Sequence, residues 1–211
     1  MQQQIVNVLL CGVGGQGILK ASQILAESAM MSGYDVKKAE VHGMSQRGGS
    51  VVSHVRFGAR VYSPLISLGE ADFILAFEPL EALRNLSFIH SEGVIILNEE
   101  KIMPQSVRAG QAEYPKEIID PCVRAARETI ATHATHAAEQ LGNRRVTNIL
   151  MLGILSKFLP FSEETWQKAI QKNVPPKTVE LNLKAFRYGR QLIEQPDRVA
   201  KFRANENGVT V

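Results

Sequence analysis

The sequence predicts an α/β fold, a Rossmann-like, mostly parallel sheet with an inserted β-hairpin and a helical C-terminal region. Three observations predict it. A nearly continuous apolar run, Ile5 to Cys11, passes straight into the glycine turn "GVGGQG" at Gly12–Gly17. Two further short apolar runs, "ADFILAF" and "GVIILN", flank the helical pattern "PLEALRNLSFI". From about Arg145 to Gln195 the periodicity is helical. Unbroken apolar strands are what a parallel sheet covered on both faces requires, and alternation of such strands with helices is its usual connectivity.

Each element follows in order. After the glycine turn, Ile18, Ala21, Leu25 and Ala29 recur at spacings of three and four, with Lys20, Gln23 and Glu27 opposite. This is an amphipathic helix with a small-residue stripe, stopped at Ser32-Gly33. "YDVKKAE" reads as the second strand of a βαβ opening. "SVVSHVRF" alternates, with Val51, Ser53, Val55 and Phe57 on one face and Val52, His54 and Arg56 on the other. Gly58-Ala59 followed by "RVYS" reads as a tight hairpin. "IATHA" is a weak strand, followed by a helix ending at Leu141-Gly142. Three helical segments close the chain: "VTNILMLGILSKFL", "SEETWQKAIQKN" and "TVELNLKAFRYGRQLIEQ", the last two separated by Pro175-Pro176. Residues 1–195 read as one α/β domain, helical from about residue 145, and 196–211 as a polar, loosely ordered or partner-bound tail.

Composition bounds the function. The chain has 211 residues, a length at which roughly 70% of the unfolded surface can be buried without staples. The net charge of +3, with both signs interspersed, gives no basis for nucleic-acid binding. Two cysteines, Cys11 and Cys122, cannot hold a four-cysteine cluster or an all-thiolate zinc site. Cys11 ends an apolar run and reads as an inert buried thiol. The N-terminus lacks a basic leader pattern, and the run Ile149 to Leu155 is far short of the roughly 20 residues a membrane span needs. A reducing, cytoplasmic location without membrane insertion is the expectation.

Two stretches carry candidate chemistry. Gly12, Gly14 and Gly17 satisfy G-x-G-x-x-G between a strand and a helix. Glycines allow positive φ and close approach, and the helix start offers free N–H groups with partial positive charge, a pattern suited to phosphate. A packing turn with no ligand is the alternative. A dinucleotide site also needs an acid at the end of the second strand, near which Glu40 falls. Gln16, after Gly15, either caps the turn or points into the cleft, and capping is the favoured reading. The second stretch, "EVHGMSQRGGSVVSHVRFG" at Glu40–Gly58, contains the donor-rich, glycine-flexible residues Ser45, Gln46, Arg47, Gly48 and Gly49. Arg47 can grip a carboxylate or phosphate with two parallel bonds. His133 and His136 are spaced for one helix face but lack a third ligand, so surface or capping roles are expected. His54 and Arg56 are expected to meet a partner or a carboxylate. Glu78, followed by Pro79, reads as a helix start.

The run from "LLCGVGGQG" through "EVHGMSQRGGSVVSHVRFG", with "VYSPLI", "GEADFILAFEPLEALR" and "QLGN", closely resembles the smaller subunit of the indolepyruvate ferredoxin oxidoreductase family. That subunit is the gamma-type unit of the wider 2-oxoacid:ferredoxin oxidoreductases. The likeness is dense over about the first 100 residues and thinner to about Arg190. From Pro104 to Ala134 the sequence departs from the family pattern, leaving the strand register there open. The resemblance implies a division of labour. A large subunit binds thiamine diphosphate and Mg2+, decarboxylates the 2-oxoacid and passes electrons through [4Fe–4S] clusters to ferredoxin, and coenzyme A collects the acyl group. The small subunit binds none of these cofactors alone and is inactive alone. With the resemblance, Ser45–Gly49 are expected in the subunit contact and in part of the coenzyme A wall, the alternative being a solvated surface loop that carries an arginine; the glycine turn and Gln16 stand beside them as candidate cofactor-binding residues. A free-standing Rossmann NAD or FAD oxidoreductase is the alternative, weakened because no general acid–base pair follows the motif.

Overall fold

The computed structural model describes residues 5–42, 49–195, 199–205 and 208–210. Eight strands form one sheet in the order β2-β3-β1-β4-β5-β6-β7-β8. They are β1 Val6–Val13, β2 Asp35–His42, β3 Ser50–Gly58, β4 Ala71–Ala76, β5 Ile89–Asn98, β6 Glu128–Thr132, β7 Val199–Asn205 and β8 Gly208–Thr210. The centre, β1-β4-β5-β6, is parallel, and two antiparallel strands extend it on each side.

Alternation along the central strands feeds two cores. Val8, Leu10, Leu75, Val94 and Ile96 face one side, with α1 (Ile18–Met31), α5 (Ala134–Gln140), α6 (Thr147–Leu155), α7 (Glu163–Asn173) and α8 (Val179–Leu192). Leu9, Cys11, Ile74, Ile95 and Leu97 face the other, covered by α2 (Pro79–Arg84) and α4 (Ile119–Ala125). A short helix, α3 (Gln105–Arg108), precedes α4. Both faces are buried under helices, so the strands can be apolar throughout, as the sequence implied. The buried α6 packs directly on α8: a Cβ at Gly153 would meet the Phe186 carbonyl, and one at Gly189 the Leu150 carbonyl.

The sheet bears out the expected class and refines its wiring. The inserted hairpin is β2–β3, joined at the carboxyl edge, and not β3 with "RVYS". Residues Arg60–Ser63 form no strand because β3 is internal, its edges already taken by β1 and β2. The same insertion separates β1 from β2, which run in the same direction with β3 between them. The segment read as a loosely ordered tail supplies β7, paired to β6 from Glu128↔Arg203 to Thr132↔Val199, and β8 beyond it. The open register around β6 is now set by its pairing with β5, Val94↔Glu128 to Asn98↔Thr132.

Candidate functional site

α1 leaves β1 toward one face of the sheet, and α2 leaves the neighbouring β4 toward the other. The carboxyl ends of β1 and β4 are therefore a topological switch point, where open α/β sheets form their crevices. A cavity of about 460 Å3 lies there. Its walls include the turn Gly14–Gly17, Phe77, Glu100, Arg144 and Arg145.

The glycine turn is built as its sequence requires. Gly15 (φ 103°) and Gly17 (φ 81°) are left-handed, and Gly17 is the N-cap of α1. At Gly12 the need is space: a Cβ would come 2.8 Å from Gln16 Oε1 and 3.0 Å from Phe77 Cβ. A Cβ at Gly17 would strike Asn148, whose Nδ2 donates to the Gly17 carbonyl at 3.1 Å. The N–H groups of Gly15 and Gly17 find no acceptor among the described residues, leaving donors at the positive end of a 14-residue helix.

Gln16 caps. Its Oε1 accepts from Val13 N–H at 2.8 Å and its Nε2 donates to the Phe77 carbonyl at 2.8 Å, tying β1 to the end of β4. The amide still lines the cavity. A polar chain continues from the same carbonyl. Asn98 Nδ2 donates to it at 3.1 Å and to Thr135 Oγ1 at 3.0 Å, and Thr135 Oγ1 donates to Glu100 Oε2 at 2.7 Å. The other Glu100 oxygen holds Arg144 Nη2. Arg144 is thereby fixed at the rim, while Arg145 has no carboxylate partner among the described residues. Arg145 also borders a second cavity of about 260 Å3 with Lys20, Asn143 and Asn148. Two guanidinium groups and a helix start make an anion-binding geometry.

Ser45, Gln46, Arg47 and Gly48 lie outside the described residues. Gly49 is described, and its carbonyl accepts Gly14 N–H at 2.9 Å. The next residue, Ser50, donates from Oγ to Glu81 Oε2 at 2.5 Å. The loop thus rejoins the sheet beside the glycine turn. Glu40 does not join the site. It lies on edge strand β2, with β3 between it and β1, and its carboxylate takes Lys38 Nζ at 2.7 Å. The ribose-binding acid of a dinucleotide fold would have to stand on the strand next to β1.

Beneath the cleft lie two buried acids. Glu78, 1% exposed, caps α2: its Oε2 accepts Glu81 N–H at 3.0 Å, and its Oε1 accepts Tyr114 Oη–H at 2.7 Å and Ile102 N–H at 3.2 Å. Burial first, then the bond to Glu78, pushes the Tyr114 phenol above its ordinary range. Burial likewise raises Cys11 well above a free thiol, reinforced by Glu81, and pushes Cys122 up to about 11. Among the described residues no three His, Cys, Asp or Glu side chains are grouped to hold a metal. His136 pairs with Gln140 at 3.1 Å, and exposed His133 lies 4.0 Å from Glu99.

His54 and Arg56, expected to meet a partner or a carboxylate, instead support the loop after β3. Arg56 Nη1 donates to the Ser63 and Leu65 carbonyls at 3.2 and 2.8 Å, and His54 Nδ1 accepts Ile66 N–H at 3.2 Å. Glu100, Thr135, Arg144 and Arg145 were not singled out from the sequence. The signal available was "GNRR" at Gly142–Arg145, two adjacent arginines after a helix-ending glycine.

With this cleft in place, the chain belongs to the pyruvate ferredoxin/flavodoxin oxidoreductase family, whose model matches residues 7–192. Within that family it is of the gamma, or small-subunit, type. It is 42% identical over 190 residues to indolepyruvate oxidoreductase subunit IorB of Thermococcus kodakarensis, covering 87% of this chain and 93% of the relative. It is 44% identical over 188 residues to the subunit of that name in Archaeoglobus fulgidus, with the same coverage. Against the pyruvate/ketoisovalerate oxidoreductases common subunit gamma of Pyrococcus furiosus the identity is 25% over 186 residues, covering 87% of this chain and 94% of that one. Among solved structures, the gamma subunit of a keto/oxoacid ferredoxin oxidoreductase from Geobacter sulfurreducens superposes with a TM-score of 0.67 at 25% identity, covering 88% of this chain and 96% of that one.

Proposed function

We propose that the chain is the small subunit of a thiamine diphosphate-dependent oxidoreductase that converts indolepyruvate and related aryl pyruvates to acyl-coenzyme A with ferredoxin as acceptor. The observation that carries the reading is the gap between 42–44% identity to indolepyruvate oxidoreductase subunits and 25% to a pyruvate/ketoisovalerate subunit, at similar coverage. The larger subunit holds thiamine diphosphate, Mg2+ and the [4Fe–4S] clusters, and it supplies decarboxylation and electron transfer in the cytoplasm. This chain supplies no reacting group and is inactive alone.

Its own part is to bind and orient coenzyme A. A diphosphate is the anion that the unpartnered turn N–H groups, Arg144 and Arg145 are suited to take together. Glu100 holds Arg144 in place, and Gln16 holds the ends of β1 and β4 at a fixed separation. Gly12, Gly14, Gly15 and Gly17 let the ligand approach the backbone, and Ser45, Gln46, Arg47, Gly48 and Gly49 serve the contact with the larger subunit and part of the coenzyme A wall.

The test is co-expression with the larger subunit, followed by ferredoxin reduction with indolepyruvate, pyruvate and 2-oxoglutarate in turn. Indolepyruvate should give the highest kcat/KM, and the small chain alone should give none. Arg145→Ala should raise the coenzyme A KM at least tenfold, which corresponds to about 1.4 kcal/mol. Turnover by the isolated chain, or a coenzyme A KM indifferent to Arg145, would refute the assignment.

A further inference from the structure

Asn98, at the end of β5, is fully buried, and Thr135, at the start of α5, is 8% exposed. Polar side chains so placed are costly unless every group is satisfied. Here the partners fix every proton. The Phe77 carbonyl can only accept and the Thr135 N–H can only donate, so the Asn98 amide has one orientation. Its Nδ2 faces Phe77 at 3.1 Å and its Oδ1 faces Thr135 N–H at 3.3 Å. The second Nδ2 proton goes to Thr135 Oγ1 at 3.0 Å. A hydroxyl has a single proton, and that of Thr135 goes to Glu100 Oε2 at 2.7 Å. The other Glu100 oxygen faces Arg144 Nη2. The backbone of the turn that carries Arg144 is held separately. Asn143 Oδ1 accepts Arg145 N–H at 3.0 Å, and Thr147 Oγ1 donates to the Arg144 carbonyl at 2.6 Å. What these bonds leave free is the direction of the long Arg144 side chain, 59% exposed.

We infer that Thr135 is a positioning residue for the coenzyme A cleft: its hydroxyl orients the Glu100 carboxylate, which aims Arg144 at the diphosphate. The inference rests on the function proposed above and extends it to residues that touch no ligand, since neither Asn98 nor Thr135 is among the described residues lining the cavity. A network serving stability alone would need only the Asn98 bonds, which already tie the end of β5 to the end of β4 and to the start of α5. The hydroxyl-to-carboxylate bond joins the last two segments again. It leads out of the core to a carboxylate 24% exposed, whose other partner is an arginine at the rim. The Phe77 carbonyl also takes Gln16 Nε2 at 2.8 Å, so the network runs from the glycine turn to the arginine, from one wall of the cleft to the other. An arginine held in its binding direction before the ligand arrives loses less side-chain freedom on binding.

The experiment measures coenzyme A kinetics on the complex with the larger subunit. The small chains compared are wild type, Thr135→Val, Thr135→Ser, Arg144→Ala and the Thr135→Val, Arg144→Ala double variant. Valine keeps the backbone N–H bond to Asn98 and removes the hydroxyl. Arg144→Ala should raise the coenzyme A KM about tenfold, as loss of a charge-assisted bond entails. Thr135→Val should raise it at least about fivefold, within the range of coupling in one hydrogen-bond network, with kcat at saturating coenzyme A little changed. Thr135→Ser should restore it. On the Arg144→Ala background Thr135→Val should raise KM no further, because its effect passes through that arginine. If Thr135→Val does not fold, Thr135→Ala against Thr135→Ser isolates the same hydroxyl. An effect of Thr135→Val on KM that is equal in both backgrounds would overturn the inference and make the network a structural one. If Arg144→Ala leaves KM unchanged, the coenzyme A cleft fails and this inference with it, whereas a KM raised by Arg144→Ala and unmoved by Thr135→Val sinks the positioning role alone.

Discussion

Gln16 shows how one side chain can serve two strands. Its amide satisfies Val13 N–H and the Phe77 carbonyl, and it stands where a Cβ on Gly12 would collide with it. Replacing it with Ala leaves the Val13 N–H without that acceptor, whereas the Phe77 carbonyl keeps Asn98. Gln16→Ala should therefore cost about 1–3 kcal/mol by denaturant titration. Gln16→Glu keeps the acceptor but sets a carboxylate against a carbonyl oxygen, so it should be as damaging at neutral pH and recover in part on acidification. The two thiols give a second residue-scale prediction. Burial holds both in the protonated form, the Cys122 thiol up to about 11. The thiolate is the nucleophile, so a colorimetric thiol reagent at pH 8 should find neither in the native chain and both after denaturation.

At the scale of elements, α6 and α8 approach closely through Gly153 and Gly189. Gly189→Ala would press a methyl group on the Leu150 carbonyl, with no flexible side chain able to yield. Overpacking of this kind costs roughly 1–3 kcal/mol, occasionally more, and should appear as a lowered denaturation midpoint with an unchanged slope. The 59–70 loop titrates through His54. Its burial, and then the neighbouring Arg56 charge, hold its pKa below the ordinary histidine value of 6.5. With the folded pKa depressed, the unfolded chain binds the proton first. The stabilising contribution is complete above about pH 6.5 and is lost as pH falls through the folded pKa. Protonation also removes the Nδ1 acceptor of Ile66 N–H. Stability should fall on acidification below about pH 6.5, and His54→Gln should flatten that part of the profile.

For the whole molecule, the last residues close the sheet. β7 covers the edge of β6 along five paired residues, with Val199 buried in the larger core. Truncation after Gln195 would leave β6 as an exposed edge, so the shortened chain should melt lower and aggregate more readily, measured by light scattering during a thermal ramp. The sequence of this segment is polar and follows a proline, and β7 alternates too weakly to announce itself. Its partner is about 70 residues earlier, and such pairing has no local signal. The same limit hid the site. "GVGGQG" is legible because a strand, a turn and a helix start are neighbours in the chain. Glu100 and Thr135 converge only because β5 and β6 end on one edge, and the two arginines reach them from the turn after α5.

Local chemistry determined the apolar central strands, the glycine turn, the helix starting at Ile18, the Glu78-Pro79 cap and the helical run from Arg145, since each depends on residues within a few positions of one another. The family, too, was readable from two long motifs in order. Tertiary structure alone decided that β3 enters between β1 and β2, which takes Glu40 away from the glycine turn and leaves "RVYS" without a partner strand. It also decided that His54 and Arg56 brace a loop and that Gln16 bridges two strands. Strand order and long-range hydrogen bonding are settled by which edges remain open once the core has packed, and that is a property of the assembled sheet rather than of any one segment.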